Sequence, residues 1–259
     1  GRKSLGSRPK AMVQHWLNTA TDAQLLAASV GKAPSLADVI RMVHPKPGTA
    51  EREAFYAWLI GKPADTAALP RLVQDLLAFR AGTSAQVPDV PFQMLADLPL
   101  TPDQWADVAR KGSWQMLRQG LNMLDRKGAF TKPGVVDHVA GLLRDPGRIR
   151  TAKALPYQLL ATLKALSPEV DPKLRNALHD AMELSVVNVP VLSGSVAVCP
   201  DVSGSMSSPV TGYRPGATSV VRCIDVGALV AAAVLRKNPK ARVMPFEVGV
   251  REATLEARD

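Results

Sequence analysis

Apolar residues recur at three- and four-residue spacing through the first 187 or so positions, the period of helices that bury one face. Ala11 to Leu17, Asp22 to Val30 and Ser35 to Val43 follow this pattern, with Asp22 and Ser35 placed as N-caps. His44-Pro45-Lys46-Pro47-Gly48 then breaks the helix, because proline lacks the backbone donor and restricts the residue before it. Thr49 caps a fourth helix through Phe55, Trp58 and Leu59, which Gly61-Lys62-Pro63 ends. Further helices are predicted over Thr66 to Arg80, Pro91 to Leu98, Ser113 to Arg126, Pro133 to Arg144, Pro156 to Leu166 and Pro172 to Val187, with a short one opened by Thr101-Pro102-Asp103 and running through Val108. Trp16, Trp58, Trp105 and Trp114 fall on these patterns and are expected in the core. About ten helices with short loops and no strand predict a HEAT-type α-solenoid, and periodicity alone leaves a compact bundle open.

The pattern changes at Asn188-Val189-Pro190. Val191 to Cys199 and Ala241 to Val248 are apolar, β-branched runs that read as strands, separated by a small-residue helix from about Ser219 to Leu235. Strand, helix, strand implies a parallel crossover. Ser207 to Thr218, rich in Pro, Gly and Ser, reads as an exposed loop. Two strands and one helix leave a sheet with a bare face and unpaired edges, so residues 191–259 are expected to be the beginning of a larger α/β domain, whose remainder lies outside this sequence or comes from another chain.

Charge adds a direction to this outline. The net charge is +9, and residues 1–190 hold 24 Lys/Arg against 17 Asp/Glu, so most of the excess sits in the helical part. Residues 110–153 alone carry ten basic side chains against Asp125, Asp137 and Asp145. Basic clusters on a helical scaffold attract phosphate backbones, although a merely solvated surface has the same composition. Cys199 and Cys223 are too few for a disulfide framework and are expected as small core residues in a reducing cytoplasm. No apolar run reaches the roughly eighteen residues of a membrane span, and no signal-peptide core follows Gly1-Arg2-Lys3-Ser4.

Between the first strand and the next helix stands Asp201-Val202-Ser203-Gly204-Ser205, a D-x-S-x-S motif. Asp201, Ser203 and Ser205 place one carboxylate and two hydroxyls at alternate positions beyond a strand end, where hard oxygens can converge on a divalent cation, most naturally Mg²⁺. The same residues could equally form a polar strand-to-helix loop. The motif resembles the metal-ion-dependent adhesion site of von Willebrand factor A domains. That resemblance implies a Rossmann-like α/β domain and further ligands, a threonine and an aspartate, from loops later than residue 259. Three oxygens out of about six imply weak cation affinity.

Several stretches in order resemble the TROVE module of Ro autoantigen proteins and their bacterial orthologues: Arg8 to Asn18 with Trp16, LADVIRMVHPKP from Leu36 to Pro47, WQMLRQGLNMLDRKGAF from Trp114 to Phe130, ALPYQLLATLKAL from Ala154 to Leu166, and Asn176 to Val187 leading into DVSGSM. The resemblance spans nearly the whole chain and implies HEAT-like repeats over 1–190, lacking the family's first helices, followed by the N-terminal part of a von Willebrand A domain over 191–259. It further implies a ring of repeats that takes 3′ ends of misfolded RNA in a basic central hole and Y RNA on its outer surface. His44 falls where the family has a histidine implicated in Y RNA binding, with Arg41 and Lys46 beside it and Lys32 near the family's outer-surface basic residues. Arg118, Arg126, Lys127 and Lys132 are candidates for the hole or its rim by charge alone. At 5% aromatic residues, recognition should be electrostatic and shape-based rather than by base stacking.

No Gly-x-Ser-x-Gly elbow, Walker loop or dinucleotide Gly-rich loop is present, and His44, His138 and His179 lie far in sequence from Ser203 and Ser205. The expectation is therefore a noncatalytic RNA-binding protein of RNA quality control, with Y-like and misfolded noncoding RNA as partners, an exoribonuclease tethered through RNA, and neither DNA nor membrane. The alternative is an adaptor that holds an acidic protein residue through the cation site.

Overall fold

A computed structural model describes residues 6–31, 33–213 and 219–253. Among them are twelve α-helices: α1 Ser7–Thr19, α2 Asp22–Ser29, α3 Leu36–Val43, α4 Ala50–Leu59, α5 Arg71–Arg80, α6 Pro102–Lys111, α7 Trp114–Arg126, α8 Val135–Leu143, α9 Pro146–Thr151, α10 Pro156–Ala165, α11 Pro172–Ser185 and α12 Cys223–Lys237. Two short strands, β1 Ala197–Val198 and β2 Arg242–Val243, complete the set. The chain forms two compact units, Gly1–Gln104 and Trp105–Asp259.

Local chemistry explains most helix starts. The Ser35 hydroxyl accepts from the backbone N–H of Asp38 while the Asp38 carboxylate accepts from that of Ser35, closing a capping box on α3. Thr49 and Ser113 cap α4 and α7 with one bond each, to the N–H groups of Arg52 and Met116. The cap of α2 is Thr21, one residue earlier than the sequence reading placed it, because the Thr21 hydroxyl and the Gln24 amide satisfy each other's backbone donors at 3.2 and 2.8 Å. Pro146, Pro156 and Pro172 each open a helix, where the missing N–H costs nothing.

Three predicted elements differ. Thr66 to Arg80 is not continuous: a 3₁₀ turn at Thr66–Ala68 precedes α5, and Pro70 stands between them. Pro91 to Leu98 is a single 3₁₀ turn, Phe92–Met94, too short to propagate as an α-helix. Pro146–Thr151, read as connection, is the six-residue α9, with Ile149 fully buried as its one anchor.

In the first unit Leu17, Leu25, Leu26, Val43, Phe55 and Val73 are fully buried against one another's helices. In the second, Trp105, Leu117, Leu124, Val139, Leu143, Leu159 and Leu174 are buried, and α11 packs against α8, α9 and α10. Each such leucine contributes on the order of 2 kcal/mol through burial. Of the residues expected in the core, Trp16 is 42% exposed on α1 and Cys199 is exposed, while Trp58 and Cys223 are half-buried.

The crossover β1–α12–β2 is parallel, with Ala197 opposite Arg242 and Val198 opposite Val243. The strands are far shorter than the apolar runs at 191–199 and 241–248. Asn238 explains the N-terminal side: its side chain accepts from the Leu192 N–H at 2.8 Å and donates to the Pro190 carbonyl at 3.2 Å, so this stretch is strapped to the end of α12 instead of pairing. Beyond β1 the ladder continues as single bonds, Phe246 N–H to the Pro200 carbonyl and Val202 N–H to the Phe246 carbonyl, since Pro200 and Pro245 have no donor to give. Ala231 and Leu235 of α12 cover Val243 and Val198, which leads the chain directly into the 201–205 loop.

Candidate nucleic-acid and cation sites

α3 ends at the turn that carries His44. The His44 backbone is left-handed, φ 46° and ψ 66°, and its N–H closes back on the Ile40 carbonyl. A non-glycine residue pays roughly 1 kcal/mol for this conformation, so the turn needs outside support. α1 supplies it. Gln14 donates its side-chain amide to the Val43 and His44 carbonyls at 2.6 and 3.2 Å, and Asn18 donates to the Lys46 carbonyl at 2.9 Å. The Asn18 oxygen in turn accepts the hydroxyl of Tyr56 at 2.9 Å. The backbone of the turn is thus fastened by side chains while the His44 and Lys46 side chains stay exposed.

Arg41 behaves differently from its neighbours. Its guanidinium donates to the Ile60 carbonyl at 2.6 Å at the end of α4 and pairs with Asp38 at 3.5 Å, so it ties α3 to α4. The Ser35 hydroxyl and N–H, more than this arginine, hold the Asp38 carboxyl below its ordinary range. Lys32 lies outside the described residues.

The four basic residues taken from the second unit separate into distinct roles. Arg118 on α7 is 93% buried, with relative exposure of only 7%. Its Nη1 donates to the Gln158 carbonyl at 3.0 Å and the Thr162 hydroxyl at 2.9 Å, both on α10, its Nε donates to Gln115, and its guanidinium lies 5.9 Å from the Trp114 ring centre. It is a clamp between helices rather than an exposed rim cation, and burial lowers its pKa. Lys127 is exposed with its ammonium 5.6 Å from the centre of the Trp105 ring, and Arg126 is exposed with one bond to the Asn122 carbonyl. Lys132 is half-buried.

Three further cations of this unit were not singled out from the sequence: Arg148, Arg150 and Lys153, all exposed and none facing an acidic partner among the described residues. Arg148 and Arg150 flank the buried Ile149 on α9, whose turn is held by Asn188 donating to the Ile149 and Ala154 carbonyls. The acid-poor run at 110–153 held the signal, but a six-residue helix carries no period to place them on a surface. Arg144 and Lys173, by contrast, are paired, with Asp180 and Asp137.

The D-x-S-x-S loop follows the end of β1. Asp201 Oδ1 accepts from the Ser203 N–H at 2.9 Å, which lowers the Asp201 pKa and keeps it ionised. The Ser203 and Ser205 hydroxyls lie 3.0 Å apart. A 3₁₀ turn, Gly204–Ser207, follows Ser203 and packs against α12. One carboxylate and two neighbouring hydroxyls fit a hard divalent cation as half of its shell. No group of three His, Cys, Asp or Glu side chains gathers anywhere among the described residues. Asp225, at the start of α12, is engaged differently, by Arg222 and by Lys164 of α10 at 3.1 Å, which hold its carboxyl far below the usual range.

No protein-family model matches this chain, and no curated protein sequence does. Among solved structures it is similar to the crystal structure of the Deinococcus radiodurans Ro (RSR) protein, with a TM-score of 0.67 and 21% sequence identity. The alignment covers 98% of this chain and 55% of that one, so the chain spans about half the length of the protein it matches. What is shared at this level of identity is architecture, and the helical units and crossover described above have the fold of a Ro protein.

Proposed function

We propose that this chain is a noncatalytic, cytoplasmic RNA-binding protein of the Ro type, which engages structured noncoding RNA and single-stranded RNA ends. The observation that carries the reading is the Ro-like fold over 98% of the chain. Two features support it. The His44–Lys46 turn presents an imidazole and an ammonium on a backbone that α1 holds in place, and Arg126, Lys127, Arg148, Arg150 and Lys153 are exposed cations without acidic partners among the described residues. Phosphates are the chemistry such groups attract, with each contact adding about 0.7–0.9 to the salt slope. Y-like RNA at the first surface, and an exoribonuclease held through it, are the finer partners this reading names.

The test is fluorescence anisotropy with a structured RNA bearing a single-stranded 3′ tail, across a salt series. Binding should weaken steeply from low to moderate salt, and His44→Ala with Lys46→Ala should weaken a Y-like RNA more than an unstructured one. Absence of salt-sensitive binding by the unaltered protein would overturn the reading.

The geometry of Asp201, Ser203 and Ser205 favours a second element, a weak Mg²⁺ site able to hold an acidic residue of a protein partner. Binding of that kind should disappear with EDTA and respond little to salt.

A further inference from the structure

Between α7 and α10 lies a cavity of about 230 Å³ lined by Arg118, Leu121, Ala161, Thr162, Ala165 and Leu166, among others. Its walls are mixed, with Leu121, Ala161, Ala165 and Leu166 apolar, Gln119, Asn122 and Thr162 polar, and Arg118 the one charged group. No carboxylate lines the cavity, and none pairs with the Arg118 guanidinium among the described residues. Arg118 as a residue is 7% exposed, and a charge held there without a counter-charge is costly, because neutral hydrogen bonds offset only part of the lost hydration. Nε is bonded to Gln115 and Nη1 spends both hydrogens on Gln158 and Thr162, whereas Nη2 has no hydrogen-bond partner among the described residues. Two N–H bonds and an uncompensated positive charge therefore remain unspent on a residue that lines the cavity.

We propose that the α7–α10 cavity is a nucleotide-phosphate pocket, in which Arg118 Nη2 donates to a phosphate oxygen and Leu121, Ala161, Ala165 and Leu166 receive the apolar face of the attached nucleoside. This deepens the RNA-binding reading and rests on it for the class of ligand. Arg118 is suited to the task because the clamp to α10 fixes its plane before the ligand arrives, so little side-chain entropy remains to be lost. Thr162, whose hydroxyl accepts from Arg118 and donates to the Gln158 carbonyl, fixes the guanidinium from the α10 side. A phosphate brings the counter-charge that the site lacks, and a charge-assisted bond is stronger than a neutral one.

The experiment is amide NMR of the whole chain titrated with uridine monophosphate, uridine and a short oligouridylate. Saturable shifts at Arg118, Thr162 and Ala165 with the monophosphate, and none with uridine, are expected. Arg118→Ala could unfold the α7–α10 contact, so the decisive variant is Ala161→Phe, which fills the cavity and leaves the clamp intact. It should weaken the monophosphate by roughly tenfold or more, a loss of about 1.4 kcal/mol. Oligouridylate shifting the same amides at lower concentration assigns the phosphate to an RNA strand, and the monophosphate acting alone assigns it to a free nucleotide; both sustain the pocket. Unchanged amides with every phosphate-bearing probe overturn it, even where salt-sensitive RNA binding persists. Saturable uptake of the monophosphate without salt-sensitive RNA binding keeps the pocket and removes the RNA reading.

Discussion

Asn18→Ala tests whether the His44 turn is held from α1. Asn18 makes two bonds, to the Lys46 carbonyl and from the Tyr56 hydroxyl, each 2.9 Å. The exposed Lys46 carbonyl regains water and loses little. The Tyr56 hydroxyl belongs to a residue only 5% exposed, and burial already raises its pKa. Left without its acceptor it costs about 1–3 kcal/mol, so the variant should destabilise the first unit by about 2 kcal/mol in total. Tyr56→Phe removes the hydroxyl along with its need for a partner and should cost about 1 kcal/mol. The double variant should then cost no more than Asn18→Ala, a coupling of about 1 kcal/mol. Because the chain has two compact units, a single denaturation midpoint is a poor reporter, and amide hydrogen exchange at Leu25, Ile40 and Val43 is the better assay. A loss of 2 kcal/mol accelerates exchange roughly thirtyfold where opening is limited by this unit. Additive costs, with the double variant as unstable as the sum of the singles, would refute the argument.

Other expectations follow from single contacts. Mg²⁺ should bind weakly at the 201–205 loop by calorimetry and be lost in Asp201→Ala; since the folded carboxyl titrates below its ordinary range, binding should persist through mildly acidic pH and fail only below it. Lys164→Ala and Asp225→Asn should each destabilise the second unit by about 1 kcal/mol at neutral pH. Asp225 has a depressed folded pKa, so its contribution is complete above the ordinary carboxylate value and fades as pH falls beneath it, and acid unfolding should show a smaller pH dependence in Asp225→Asn. Gly112→Ala would bring a methyl group to 2.9 Å from Leu117 Cδ2 and Met116 Sδ. Met116 can swing away but Leu117 is fully buried, so a loss of about 1–3 kcal/mol is expected in thermal unfolding.

Repeating apolar spacing and cap residues are local properties, which is why α1 to α4, α6 to α8 and α10 to α12 were legible in the sequence, as was the turn at His44. The readable segments are those in which a residue's nearest neighbours in sequence are also its partners. The errors have the opposite character. Pro91 to Leu98 matched a helical pattern over too few turns to propagate, and the apolar run from Val191 was diverted by Asn238, 46 residues away from Leu192.

Charge shows the same division. Counting placed Arg118, Arg126 and Lys127 in one basic group, and the fold assigned them three fates: a buried clamp on α10, an exposed side chain near its own helix end, and an ammonium over Trp105. Trp16 and Trp105 share a helical setting in sequence, yet one is 42% exposed and the other 1%. Helix content, the crossover and the oxygen-donor loop were written in the order of residues. Which cation is spent, which is free and which faces a cavity depended on partners tens of residues distant, because burial and counter-charge are set by the packing of whole helices and not by any window along the chain.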